Sequence, residues 1–171
     1  MKRWLTAVLL TASLLGSAGV ELLQAQNQIG IAVGSTPESV QIEDLEGNPV
    51  DLGDYFGGGK PVLLEFWATW CPVCEALEPT LQAAYAKYGE DVEFLVIAVA
   101  VNQSVRRVSR HAESHEMPGR ILWDRDGRAV RAFMTPSTSY VVVLDAEGKV
   151  VYTGLGEDQD IEAALEKALQ R

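Results

Sequence analysis

"EFWATWCPVC", residues 65–74, holds both cysteines of this 171-residue chain. They stand three apart, behind Trp70, just after the apolar run "PVLLEFW" at 61–67. A run of that length reads as a strand buried on both faces. The segment after it reads as a helix. Pro72 suits a first turn, where its missing N–H costs nothing. Leu77, Leu81, Ala84, Tyr85 and Tyr88 recur at helical spacing, and Gly89 is a fitting stop. Pro79 falls inside and is expected to kink the helix. The cysteine pair therefore opens a helix directly off a buried strand.

That placement discriminates between three uses of two cysteines. A Cys71–Cys74 bridge closes a very short loop, and in the chain-entropy model such a loop stabilises least. Structural zinc wants four ligands, and the chain adds only His111 and His115, far downstream. A redox pair fits. A thiol at a helix N-terminus faces unpaired N–H groups and the positive end of the dipole, and both favour the thiolate. Cys71 is then the attacking thiol. Cys74, one turn in, is the resolving one.

Working outward, "VQIEDLEGNPVDLGDY" (40–55) alternates around Glu46-Gly47-Asn48-Pro49 and reads as a β-hairpin. "VEFLVIAVAV" (92–101) is the most apolar run after the leader and reads as a central strand. "NQSVRRVSRHAESHE" (102–116) reads as a helix capped by Asn102 or Ser104. "ILWD" reads as a short strand ending in the Asp124–Gly127 turn, and "SYVVVLD-AEGK-VVYTG" as strand, turn, strand. From Asp160, Ile161, Ala164, Leu165, Ala168 and Leu169 mark a closing amphipathic helix. Alternating units of this kind predict an α/β fold with a mixed central sheet flanked by helices and an N-terminal β-hairpin.

Composition narrows the classes. Hydrophobic residues make up 47% of the chain, enough for one domain with a substantial core. The net charge of -10 repels phosphate backbones, which argues against nucleic-acid partners. Lys2 and Arg3 precede an apolar run from Trp4 to Leu15 and then small residues, the pattern of a secretory signal. Cleavage after Ala18 and after Ala25 both fit, and retention as an N-terminal membrane anchor is the alternative. The expected organisation is a leader at 1–25, a linker at 26–38 and a domain at 39–171. Export would bring the cysteines to an oxidising compartment, the bacterial periplasm or the outer face of the membrane.

"FWATWCPVC" resembles the thioredoxin superfamily. The leader, the hairpin and the long segment before "TPSTSYVVVLD" resemble its exported TlpA/ResA branch. The resemblance covers about residues 35–171 and implies a thioredoxin-like fold. It implies an exported thiol–disulfide oxidoreductase, reducing more often than oxidising, with service to cytochrome c maturation among its uses. No cofactor beyond the redox-active disulfide is implied. Protein disulfides or dithiols are the implied substrates and a membrane electron-donor protein the implied partner. Glu65, six before Cys71, matches a buried acid below the disulfide. Burial would raise its pKa and fit it to exchange a proton with Cys74. Pro136, after Thr135, matches a cis-proline facing the cysteines. Trp70, Pro72, Val73, Thr135 and Pro136 would form the substrate-binding surface, with Trp67 in the core.

The sequence also departs from that branch. Position 77, three after Cys74, is leucine where many members have glutamate. Glu75 and Glu78 flank it and read as solvated helix residues. The stretch from Pro136 to Gly148 is long, and a bulge or extra turn is expected there. His111 and His115 have metal-ligand spacing but no apparent third ligand, so they read as a solvated helix face, and Arg106, Arg107 and Arg110 form a basic face with His111. Two rival readings stand beside reduction. A thiol peroxidase would want Thr at position 68, which is alanine. A non-enzymatic binding module would keep the fold and lose nothing without Cys71.

Overall fold

The structure, a computed structural model, describes residues 29–170. One sheet of seven strands runs through it in the order β2-β1-β5-β4-β3-β6-β7. The hairpin supplies β1 (Gln41–Asp44) and β2 (Pro49–Asp51), and a 3-10 turn follows at Leu52–Tyr55. Next come β3 (Val62–Trp67), helix α1 (Pro72–Tyr88), β4 (Glu93–Val99), α2 (Val105–Ser114) and β5 (Arg120–Asp124). A short α3 (Arg128–Ala132), β6 (Tyr140–Leu144), β7 (Val150–Leu155) and α4 (Ile161–Leu169) complete the order. The expected mixed sheet is present, with β4 as its middle strand. The short α3 is an addition that the sequence pattern did not predict.

Strands β3, β4 and β5 are parallel to one another, while β6 lies antiparallel to β3 and β1 antiparallel to β5. From β3 to β4 to β5 the chain advances in one direction across the sheet. The right-handed crossover rule then lays α1 and α2 side by side on one face. Gln82 Nε2 of α1 donates to the His115 carbonyl at the end of α2, 2.8 Å away, across that seam.

All six residues of β3 are buried. Their alternation sorts them between two cores. Leu63 packs with Leu77, Leu81, Val141, Val143 and Leu165, under α1 and α4. Leu64 and Phe66 pack on the other face, where Phe66 meets the rings of Phe133 and Tyr140. The same period puts Glu65 on the Leu63 face, beneath α1.

The leader at 1–25 lies outside the described residues. Of the expected linker, residues 29–38 pack on the domain instead of standing off it. Ile31 is buried, and its N–H donates to the Phe133 carbonyl and the Tyr140 hydroxyl, each 3.1 Å away. Gly34 N–H donates to the Val150 carbonyl and Val150 N–H to the Ser35 carbonyl. Gly30 has φ +75°, and a Cβ there would strike the Tyr140 hydroxyl. Among the described residues, no helix is long and apolar enough to cross a membrane.

Candidate active site

Strand β3 ends at Trp67, and the chain turns through Ala68–Trp70 with Cys71 N–H donating to the Ala68 carbonyl at 3.0 Å. Gln103 holds this turn. Its amide oxygen accepts the Thr69 N–H at 2.9 Å, while its Nε2 donates to the Val99 carbonyl at 2.6 Å. Sequence reasoning did not single out Gln103. A lone glutamine 34 residues away carries no local signal of the clamp.

Cys71 is the N-cap of α1, in extended conformation with Pro72 following. Its Sγ accepts the Cys74 N–H at 3.1 Å, so the sulfur takes a place normally filled by a capping oxygen. Cys71 and Cys74 form a disulfide with Cα atoms 5.3 Å apart. Both are buried to a similar degree, so what distinguishes them is helix position. Only Cys71 sits before the first turn, where free N–H groups favour a thiolate.

Around the disulfide lies an exposed apolar rim. Trp70 is 41% exposed, and its Nε1 donates to the Val101 carbonyl at 2.6 Å, which fixes the indole beside the cysteines. Pro72 and Val73 are exposed on the first turn of α1. Trp67 is buried, as expected, and its ring faces His111 with centroids 5.3 Å apart.

Glu65 is buried and lines the cleft shared with Cys71 and Cys74. Its pKa is pushed up to about 8, first by burial and then by the negative charge of Glu78. It stays largely protonated near neutrality, unlike an ordinary carboxyl.

Glu78 is a correction to the sequence reading. It is not a solvated helix residue, since its side chain is only 12% exposed and lines the same cleft. Four residues beyond Cys74, it falls on the same helix face, which the seam with α2 covers. Glu78 Oε1 accepts from Gln82 Nε2 at 3.1 Å, and Oε2 lies 3.2 Å from His115 Nδ1. His111 and His115 are half-buried and stacked, with centroids 3.9 Å apart. The expected shared face with the arginines is therefore absent. Arg106, Arg107 and Arg110 are exposed, while His111 turns in toward Trp67. Burial and the neighbouring His115 hold the His111 pKa below the ordinary imidazole range. Glu75 is exposed, as expected.

Thr135 and Pro136 precede β6 at the end of the sheet where β3 finishes, though they do not line the cleft. The expected cis bond is not found: the Thr135–Pro136 peptide is trans. Trans is the intrinsically favoured isomer even before proline. Here the chain turns through left-handed residues on either side, Met134 at φ +49° and Ser139 at φ +63°. Ser139 N–H then donates to the Phe66 carbonyl at 2.8 Å, which docks the loop on β3. The expected irregularity in this stretch appears as that Ser139 turn and as a register shift at Val143/Leu144.

Comparison with known proteins agrees with this geometry. The Redoxin family matches residues 32–169. The thiol-disulfide oxidoreductase ResA of Geobacillus thermodenitrificans is 34% identical over 139 residues, covering 80% of this chain and 78% of that protein. The thioredoxin-like protein YneN of Bacillus subtilis is 29% identical, covering 97% of this chain and 98% of that protein. Among solved structures, the thioredoxin domain of a thiol-disulfide oxidoreductase from Bacteroides vulgatus superposes with a TM-score of 0.68. It is 21% identical and covers 81% of this chain and 99% of that one.

Proposed function

The chain belongs to the redoxin family and is a thioredoxin-fold thiol–disulfide oxidoreductase, and on that premise we propose that it reduces protein disulfides with Cys71 attacking and Cys74 resolving. The observation that carries this reading is the disulfide at the N-cap of α1, with Cys71 Sγ accepting the Cys74 N–H above a buried carboxyl.

In the reduced enzyme the Cys71 thiolate attacks one sulfur of a substrate disulfide. A mixed disulfide forms, and the substrate's other sulfur leaves as a thiolate. The fraction of Glu65 that is ionised, a minority below about pH 8, then takes the proton of Cys74. The resulting thiolate attacks Cys71 Sγ, closes the internal disulfide and expels the second substrate thiol. Two electrons pass to the substrate, and the two departing sulfurs take up protons. A pKa near 8 suits Glu65 to accept and return a proton close to neutrality. The step needs no bound cofactor.

Trp70, Pro72 and Val73 form the docking rim, supported by their exposure beside the disulfide. The Thr135–Pro136 loop at the same end of the sheet is its second edge. The oxidised enzyme must be recharged, and a membrane electron-donor protein is the partner proposed. The basic and apolar leader supports export, to the periplasm or the outer face of the membrane. Its first 25 residues act as a signal or an anchor.

The reverse direction, donating a disulfide, uses the same residues. The test is the reduction potential of the Cys71–Cys74 pair, read from tryptophan fluorescence in thiol redox buffers. A value near about -270 mV supports a reductant, and one near about -120 mV an oxidant. Absence of any reversible two-electron transition overturns the redox reading.

A further inference from the structure

Helix α2 carries His111, and His115 follows at its C-cap, one turn on. Two imidazoles at that spacing are half of a metal site. The fold adds a third ligand from a different element. Glu78 of α1 reaches them across the seam, and the candidate ligand atoms of all three side chains lie within 4.8 Å of one another. We propose that Glu78, His111 and His115 bind one divalent zinc ion at the rim of the redox cleft.

The donor set is the first argument. Two imidazoles and one carboxylate suit a borderline cation such as zinc, and three protein ligands leave a fourth position open. Geometry is the second. Zinc bonds of about 2.0–2.2 Å in tetrahedral array hold ligand atoms about 3.4 Å apart. Glu78 Oε2 and His115 Nδ1 already stand at 3.2 Å. The remaining pairs must close by up to about 1.4 Å to reach that tetrahedral spacing, within reach of side-chain rotation by half-exposed rings.

Support from outside the ligand set is the third argument. Gln82 Nε2 donates both to Glu78 Oε1 and to the His115 carbonyl, at 3.1 and 2.8 Å. It leaves Oε2 free to face the imidazoles and ties the helix bearing Glu78 to the chain bearing His115. Hydrogen bonds of this kind, one step behind the ligands, fix carboxylate orientation in metal sites. The exposed Glu75 adds negative potential nearby, while Arg107 opposes it.

The site is separate from the disulfide, so it is tested in the oxidised full-length protein, where the thiols are withheld as ligands. Zinc chloride is titrated calorimetrically, and Co2+ is used as an optical probe. One equivalent is expected to bind, with visible bands of four-coordinate Co2+. Glu78→Gln should weaken binding at least about tenfold, and paired substitution of His111 and His115 by Gln should abolish it. Gln82→Ala should weaken it by about ten- to a hundredfold. Each variant is first shown to retain the reversible fluorescence transition of the cysteine pair; paired substitution by Ala replaces any that does not. No saturable binding overturns the proposal, as does binding that survives the paired histidine substitution. Binding that is indifferent to Glu78→Gln overturns the three-ligand site. None of these outcomes bears on the redox role of Cys71 and Cys74.

Discussion

Glu65 and Asp124 are both 1% exposed, yet their surroundings oppose each other. Asp124 ends β5, and its two oxygens accept the N–H groups of Arg128 and Val130 at 2.7 and 2.9 Å. Backbone amides aimed at both oxygens satisfy this buried side chain, and it fixes the start of α3. Glu65 lies mid-strand, where burial and the Glu78 charge both favour the protonated form. The contrast teaches that burial alone does not mark a working acid. What sets Glu65 apart is burial with its charge discouraged, in the cleft it shares with the disulfide, and this supports the proton-exchange role proposed for it.

The comparison breaks first at the group Glu65 is proposed to serve. Cys71→Ser should reduce disulfide turnover to the uncatalysed background in a dithiothreitol-coupled protein-disulfide assay. Residual turnover would remove the need for a buried acid. Cys74→Ser should leave attack intact and trap the mixed disulfide, visible as a covalent adduct by mass spectrometry.

Next in size is the stability cost of Glu65. A carboxyl at about 8 in the fold and near 4.5 when unfolded binds its proton more tightly when folded. Its contribution is fully present below about 4.5 and is lost as pH rises through about 8. The oxidised protein should therefore weaken across that window, by on the order of 5 kcal/mol at about 1.4 kcal/mol per unit. Glu65→Gln should flatten this slope in urea titrations run at several pH values. It should also slow resolution of the mixed disulfide near neutrality. An unchanged slope would place the Glu65 proton elsewhere.

Much of this was legible in the sequence because the signals are local. The apolar runs at 61–67 and 92–101 mark the buried parallel strands, and W-C-x-x-C after the first marks the strand-to-helix turn. The burial of Glu65 was expected from the family resemblance, and an acid is out of place in such a run. Glu78 was not, since a glutamate on a helix is ordinary until another helix covers it. The covering residues are 33 and 37 positions away, and only the crossover geometry brings them together. Gln103 was hidden for the same reason. The five-residue α3 was too short to show a period. Its start is set by Asp124, which reads in sequence as a turn residue.

Asp124→Ala then sharpens the other side of the comparison. Two part-buried N–H groups lose their acceptor, and each costs at most about 1–3 kcal/mol, less where water replaces the carboxyl. Thermal unfolding should shift down, while the cysteine-pair potential and its pH dependence should stay as in wild type. A moved potential would mean that the two carboxyls are not independent.

The smallest effect separates the two causes acting on Glu65. Burial is the larger and Glu78 the lesser. Glu78→Gln removes a negative charge from the cleft but keeps the side chain's size and its hydrogen-bonding capacity toward Gln82. The repulsion that discourages a second anion disappears, so the Glu65 pKa should fall while remaining above that of an ordinary carboxyl. The midpoint of the pH profile for mixed-disulfide resolution should move down by less than about one unit, measured with chelator present so that no bound cation substitutes for the lost charge. A midpoint that rises would reverse the sign of the coupling. One that does not move would leave burial as the sole cause and make Glu78 a bystander to proton transfer.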